Sequence, residues 1–340
     1  MYIPIEYKDL KGNYLLIDVR SPSEYKHSTI NGAINIPIFD DYERKVIGTV
    51  YINESIEKAK KIGVDAASKK LPEIYEKVVK LKENYDKLVF FCARGGMRSG
   101  VLTMFLTAMG INAVKLKGGY KAYRKYIVDE LPKINENINY IVLHGNTGVG
   151  KTEILKKLRL HGYDVLDLEG AANHRGSLLG NVGLGDTYSQ KQFESNIYHT
   201  LEKIKTNYVF VEAESSRIGN INVPKFICDK MKEGIHIFLD ANIDFRVNII
   251  VNEYIKDENN KIEIFNCLDK LNKYISRSNL ERYKTLLEKE NYNELAKELM
   301  EKYYDPLYMN SAKNYDYALK VNVDNIDKSA EIIENWFKRL

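Results

Sequence analysis

Short apolar runs alternate along the chain with longer amphipathic stretches. Residues 14–19 (YLLIDV), 34–38, 87–91 and 113–116 predict buried strands. Between them, residues 56–86 repeat apolar positions at helical spacing, with Ile74, Val78, Leu81 and Tyr85 on one face. Residues 99–109 predict a helix that Gly110 ends. Strands alternating with helices predict a parallel sheet. Residues 131–137 (LPKINEN) are polar, carry a proline and read as a linker. A second alternating series follows, with strands over 140–144, 165–169, 209–211, 235–239 and 318–323. Residues 262–304 are mostly helical, and Asp305-Pro306 is expected to stop them. The pattern divides the chain into two α/β domains, 1–133 and 134–340, the second with a helical C-terminal region.

Composition adds few constraints. With 340 residues, 44% hydrophobic and 29% charged, the chain reads as an ordinary globular protein with material for two cores. The opening MYIPIEYKDL lacks the basic-then-apolar pattern of a signal peptide. No apolar run approaches the roughly 20 residues of a membrane helix. Cys92, Cys228 and Cys267 are odd in number and far apart, and no Cys/His spacing suggests zinc. A reducing cytoplasm is the expectation. The net charge of +4 is uneven: residues 1–134 hold 23 lysines and arginines against 16 acids. An anionic partner such as tRNA would produce that surplus, and so would a solvated lysine-rich surface.

The stretch KLVFFCARGGMRSG, residues 87–100, ends a strand in a cysteine followed by glycines and arginines. The C-terminal edge of a parallel sheet is where ligands bind. Gly95 and Gly96 let the backbone curl into an anion-binding nest, with Ser99 beside it and a helix N-terminus adding positive potential. Arg94 and Arg98 offer forks for an oxyanion. These surroundings favour a reactive Cys92 over a buried, inert one, with Cys92, Arg94 and Arg98 as the catalytic set. Cys-x5-Arg spacing fits a tetrahedral anion, so phosphate ester hydrolysis and transfer of sulfur or selenium both remain open.

Residues 140–158 read as strand, G-x-x-x-x-G-K-T, helix, the context a phosphate loop requires. Gly145, Gly148 and Gly150 let backbone N–H groups cradle phosphates, Lys151 neutralises them and Thr152 can hold Mg²⁺. Glu212 and Glu214, after the strand at 209–211, are candidates to hold a metal through water, or to cap the strand end. Glu169, His174 and Arg175 are further candidates, His174 as a general base and Arg175 as an anion ligand; a polar surface loop is the plainer reading. Arg217 is a further candidate to reach a phosphate. Such a loop identifies the group bound and not the reaction.

The runs IDVRSPSEY (17–25) and NGAINIP (31–37), with the cysteine loop, resemble a rhodanese domain. Asp18 and Arg20 then either hold the cysteine loop from below or form a strand-end salt bridge. Together with the phosphate loop, FDDYER (39–44), DLEGAANHRGS (167–177), QKQFE (190–194) and VEAESSRIG (211–219), the chain resembles the tRNA 2-selenouridine synthases. Ala93 stands where that pattern has an aromatic residue, and Ala213 where it has an acid. The resemblance implies a rhodanese-like parallel-sheet domain followed by a P-loop NTPase-like α/β domain. It implies a transferase acting on the wobble base in the tRNA anticodon region. The 2-thiouridine sulfur would be alkylated from geranyl diphosphate, and selenium from selenophosphate would then replace the S-geranyl group, with Cys92 as carrier. No tightly bound cofactor is expected, Mg²⁺ is a candidate ion, and selenophosphate synthetase is a candidate partner. Lys/Arg contacts and stacking on some of the 25 tyrosines would hold the tRNA. The rival readings are a rhodanese-fold phosphatase, an ATP-dependent tRNA sulfurtransferase and a non-catalytic nucleotide sensor.

Overall fold

The structure, a computed structural model, describes residues 3–256, 258–308 and 315–340. The chain forms two compact units, Met1–Leu131 with Glu194–Asn196, and Pro132–Phe193 with Ile197–Leu340.

The first unit is built on four parallel strands, β1 (Tyr14–Asp18), β2 (Ile34–Asn35), β3 (Lys87–Phe91) and β4 (Ala113–Lys115), in the order β2-β1-β3-β4. Strands buried on both faces read as continuous apolar runs. Leu15 and Ile17 of β1 and Leu88 and Phe90 of β3 accordingly pack with Ile74, Val78, Leu102 and Leu106 from flanking helices. The helix Asp41–Asn53 starts at a capping box: Asp40 accepts from the Glu43 N–H at 2.8 Å, and Glu43 accepts from the Asp40 N–H at 2.9 Å. The helices Ile56–Leu81 and Met97–Ala108 lie close to their predicted ranges.

In the second unit the main sheet comprises β5 (Asn139–His144), β6 (Val165–Leu166), β7 (Tyr208–Glu212), β10 (Ile235–Asp240) and β11 (Tyr317–Asn322). All pairings are parallel, in the order β11-β10-β5-β7-β6, so β5 is central. A two-stranded antiparallel pair, β8 (Arg217–Ile218) and β9 (Ile221–Asn222), stands apart from it. Ile141, Leu143, Phe210, Ile237 and Leu239 form the sheet core. The helical C-terminal region has its own cluster, including Ile264, Leu268, Leu280, Tyr283, Leu287 and Leu299.

Several boundaries differ from the sequence reading. The expected linker at 131–137 is helical, since the helix Gly119–Glu136 runs through Pro132. Proline removes one N–H donor there but has a helix-compatible φ. Asp305-Pro306 does not stop the helices; it opens a further turn, Asp305–Tyr308, because proline suits the first turn of a helix. The strand expected over 165–169 keeps only two residues. The Asp167 carboxylate accepts from the Gly170 N–H at 2.7 Å and starts the helix Leu168–Ala172, which carries Glu169. The strand expected over 34–38 likewise shrinks to two residues.

Candidate active sites

Cys92 follows β3 directly and lies five residues before the helix Met97–Ala108. It is buried, packed among Phe90, Leu102 and Ile36 of the core, and Ser99 Oγ lies 3.2 Å from its Sγ. Above the sulfur, Arg94, Gly96 and Met97 form an exposed rim. The backbone N–H groups of Arg94, Gly95 and Gly96 donate to no other group among the described residues. With the orphan N–H groups of the helix start they leave several unsatisfied donors at the C-terminal end of β3.

The floor of that loop escaped the sequence reading. Gly119 packs against it at φ +58°, where a Cβ would run into the Cys92 carbonyl oxygen and the Gly95 nitrogen. Only glycine allows this approach. The next two residues tie the loop down: the Tyr120 N–H donates to Cys92 O and the Lys121 N–H to Ala93 O, both at 2.9 Å.

The two arginines stand differently. Arg94 is exposed, with no ion pair among the described residues. Arg98 donates through Nη1 to Glu24 Oε2 at 2.6 Å and through Nη2 to Oε1 at 3.2 Å. Burial pushes the Glu24 carboxyl upward, but Arg98, the Ser21 N–H and Arg44 outweigh it and hold it below its ordinary value. Asp18 and Arg20 do not reach the loop directly. Arg20 pairs with Asp18 through Nε at 2.9 Å and Nη2 at 2.6 Å, and Nη2 also donates to Ser28 O. The strand-end salt bridge is therefore the arrangement found. Its link to the loop is indirect, with the Arg20 guanidinium 4.3 Å from the centre of the Tyr120 ring.

In the second unit, β5 runs into Gly145–Gly150, and the helix Lys151–Leu160 follows. Gly148 has φ +78°, and a Cβ there would lie 2.7 Å from the Arg246 carbonyl oxygen. The N–H groups of Thr147, Gly148 and Gly150 donate to no other group among the described residues. Lys151 curls across the loop and donates to Gly145 O at 2.7 Å. A buried arginine unnoticed in the sequence fixes the loop: Arg246 Nε donates to Thr147 O at 2.9 Å. Its other nitrogens donate to Asp305 at 2.9 and 2.6 Å.

Three predicted acids converge beside the loop. Glu169, Glu212 and Glu214 each place a carboxylate oxygen within 4.8 Å of the others. Thr152 Oγ1 donates to Glu212 Oε2 at 3.2 Å, and the Glu169 N–H donates to Oε1 at 3.2 Å. Burial first, then neighbouring carboxylates, pushes Glu169 and Glu212 well above the usual range and Glu214 to about 7. Three such oxygens crowded out of water fit a hard cation such as Mg²⁺. Ala213 takes no part.

A cavity of about 980 Å³ opens beside the loop, lined by Gly145, Asn146, Glu214, Phe238 and Tyr274 among others. His174 and Arg217 reach its wall. His174 is buried, its Nδ1 lacks a hydrogen-bond partner among the described residues, and burial followed by Arg175 and Lys270 lowers its basicity. Arg217 is exposed and bonded to Gly219 O at 2.9 Å. Arg175 turns elsewhere, onto Glu253 Oε1 at 2.6 Å, Val182 O at 2.7 Å and the Tyr254 ring.

Comparison with known proteins adds an independent line. A family model described as the tRNA 2-selenouridine synthase AAA domain matches residues 138–339, and one for the rhodanese-like domain matches residues 4–126. A tRNA 2-selenouridine synthase of Hydrogenovibrio crunogenus is 31% identical over 347 residues, covering 93% of this chain and 92% of its own. One from a Sulfurovum species is 30% identical over 357 residues, covering 96% and 95%. One from Nitrosomonas eutropha is 32% identical over 245 residues, and that match spans 71% of this chain and 63% of the relative.

Proposed function

The chain belongs to the tRNA 2-selenouridine synthase family, a rhodanese-like unit followed by a P-loop-like α/β unit, and from that premise we propose that it converts wobble 2-thiouridine in tRNA to 2-selenouridine. The observation that carries this reading is the presence of two anion cradles of different chemistry on one chain. One follows the Cys92 sulfur, which lies 3.2 Å from Ser99 Oγ, and the other carries Lys151.

In the first step the thiouridine sulfur displaces diphosphate from geranyl diphosphate. The leaving diphosphate needs cationic and N–H stabilisation, which Gly148, Gly150, Lys151 and Thr152 are built to give. Glu169, Glu212 and Glu214 would hold Mg²⁺, which when bound supplies charge against the diphosphate. In the second step the Cys92 thiolate attacks phosphorus of selenophosphate and takes its phosphoryl group, the freed selenide attacks C2 of the base and displaces geranylthiol, and water hydrolyses the phosphocysteine to phosphate. The loop N–H groups and Arg94 receive the phosphate part, with Arg98 held at the rim by Glu24. A selenophosphate synthetase would supply the selenium donor, and the cytoplasm would supply the tRNA. Among the described residues no helix is long and apolar enough to cross a membrane.

Mass spectrometry of wobble nucleosides tests this, after incubation with 2-thiouridine tRNA, geranyl diphosphate and selenophosphate. The unaltered protein should yield 2-selenouridine. Cys92→Ser should accumulate the S-geranyl nucleoside, and Lys151→Ala should leave 2-thiouridine unchanged. Unchanged 2-thiouridine from the folded, unaltered protein would overturn the reading.

A further inference from the structure

Two histidines absent from the motifs meet in the wall of the 980 Å³ cavity. His144 ends β5 one residue before Gly145, and His236 is the second residue of β10. The parallel pairing of these strands brings the rings together, with His144 Nε2 2.9 Å from His236 Nδ1. His236 Nε2 lies 3.2 Å from the Lys232 carbonyl oxygen.

This chain of contacts has one consistent direction. A carbonyl oxygen only accepts, so His236 carries its proton on Nε2. In a neutral ring Nδ1 is then an acceptor, and the 2.9 Å contact is donation from His144 Nε2–H. His144 Nδ1 is left as a lone pair, and no hydrogen bond reaches it among the described residues. Tyr315 packs on both rings, at centroid distances of 4.7 and 4.2 Å, and Tyr317 lies 5.4 Å from His144. Both rings are held neutral. Burial, then His236 and Lys151, lowers His144 to about 4, and burial lowers His236.

We propose that His144 is the proton acceptor of the S-alkylation step, with His236 as the positioning residue that fixes its tautomer. This rests on the reading that the P-loop unit transfers an alkyl group from a diphosphate to 2-thiouridine. In that step the sulfur–carbon bond forms and the carbon–oxygen bond breaks, its electron pair leaving with diphosphate. The product is neutral only if the N3 proton of the base departs. His144 Nδ1 takes that proton, and the Nε2–H donation to His236, itself anchored on Lys232 O, supports the resulting imidazolium. Among the described residues, the charged and titratable groups facing His144 are His236, Lys151, Tyr315 and Tyr317. Lys151 is one reason the ring stays neutral, and a diphosphate on the loop offsets that charge. The base therefore strengthens when the donor is bound.

The test is the pH profile of S-geranyl transfer by the full chain, with His144→Asn and His236→Gln beside the unaltered protein. Binding of inorganic diphosphate, measured by calorimetry, checks that each variant keeps its loop. His144→Asn should lower the rate at neutral pH by about 10²–10⁴-fold and regain it as pH rises until thiouridine ionises unaided. His236→Gln should show a smaller loss with the same recovery. In the unaltered protein, NMR should show the His144 pKa rising when inorganic diphosphate is added. An unchanged profile in His144→Asn, a loss that high pH does not restore, or a His144 signal indifferent to diphosphate would each overturn the proposal. Absence of any S-geranyl product from the unaltered protein would instead remove the alkyl-transfer reading, and the proton-acceptor role with it.

Discussion

Glu24 decides how much charge the cysteine loop offers. Sequence spacing gives the loop two arginines, but Glu24 occupies both terminal nitrogens of Arg98, and Arg94 is left with no ion pair among the described residues. Glu24→Gln should therefore tighten binding of a tetrahedral anion, measured with inorganic phosphate by calorimetry. It should also cost stability, roughly 1–3 kcal/mol for charge-assisted hydrogen bonds. The pH sign follows from the lowered Glu24 pKa. The stabilisation is present above the ordinary glutamate range and is lost as pH falls through the folded value. Thermal melts of the two proteins should thus differ at pH 7 and converge toward acid. At the sulfur, Ser99 Oγ is the hydrogen-bond partner seen for Cys92. Ser99→Ala should slow alkylation of Cys92 by iodoacetamide roughly tenfold, the worth of about 1.4 kcal/mol in a hydrogen bond to a charged group. An unchanged rate would show that the serine only packs there.

Elements, more than single residues, hold the phosphate loop. Arg246 joins Thr147 O in the loop to Asp305 near the C-terminal end of the helical region. Removing one partner of a buried ion pair strands the other, at about 3–5 kcal/mol. Asp305→Ala should therefore lower the melting temperature and weaken inorganic diphosphate binding together. A drop in stability with unaltered binding would separate Arg246 from the loop. The carboxylate trio makes a second element-scale prediction. Glu214 titrates near 7 in the fold, above its ordinary 4.5. A raised carboxyl pKa gives stability that is full below the unfolded value and lost as pH rises through about 7. Without divalent cation the melting temperature should fall between pH 5.5 and 8, and Mg²⁺ should restore it mainly at the upper end. The same comparison shows what the sequence could reveal. Both glycine loops were legible because strand, glycine turn and helix N-terminus are contiguous in the sequence. Arg246 with Asp305, His144 with His236, and Gly119 beneath Cys92 were not, because separate elements bring them together. Glu169 was found as a candidate but placed on a strand, since the Asp167 cap competes locally with the extended backbone that apolar patterning suggests.

At the scale of the molecule, the proposed route has two sequential chemistries and assigns one to the loop of each unit. The intermediate of the proposed route is a covalently altered tRNA, neutral at the modified base and lacking any bond to the protein. Nothing in its chemistry requires that one copy of the chain complete both steps. Cys92→Ser keeps the phosphate loop intact, and Lys151→Ala keeps the cysteine loop intact. Each variant alone should yield no 2-selenouridine. A mixture of the two should restore it, with a lag that shortens as the concentration of Lys151→Ala is raised, because the S-geranyl tRNA must leave one molecule and find another. Time courses of the wobble nucleosides would show S-geranyl product rising first and falling as 2-selenouridine appears. If the mixture accumulates S-geranyl tRNA and no selenium product, while the unaltered protein completes the conversion, the intermediate is handed on without release. The tRNA then stays bound to one chain through both steps.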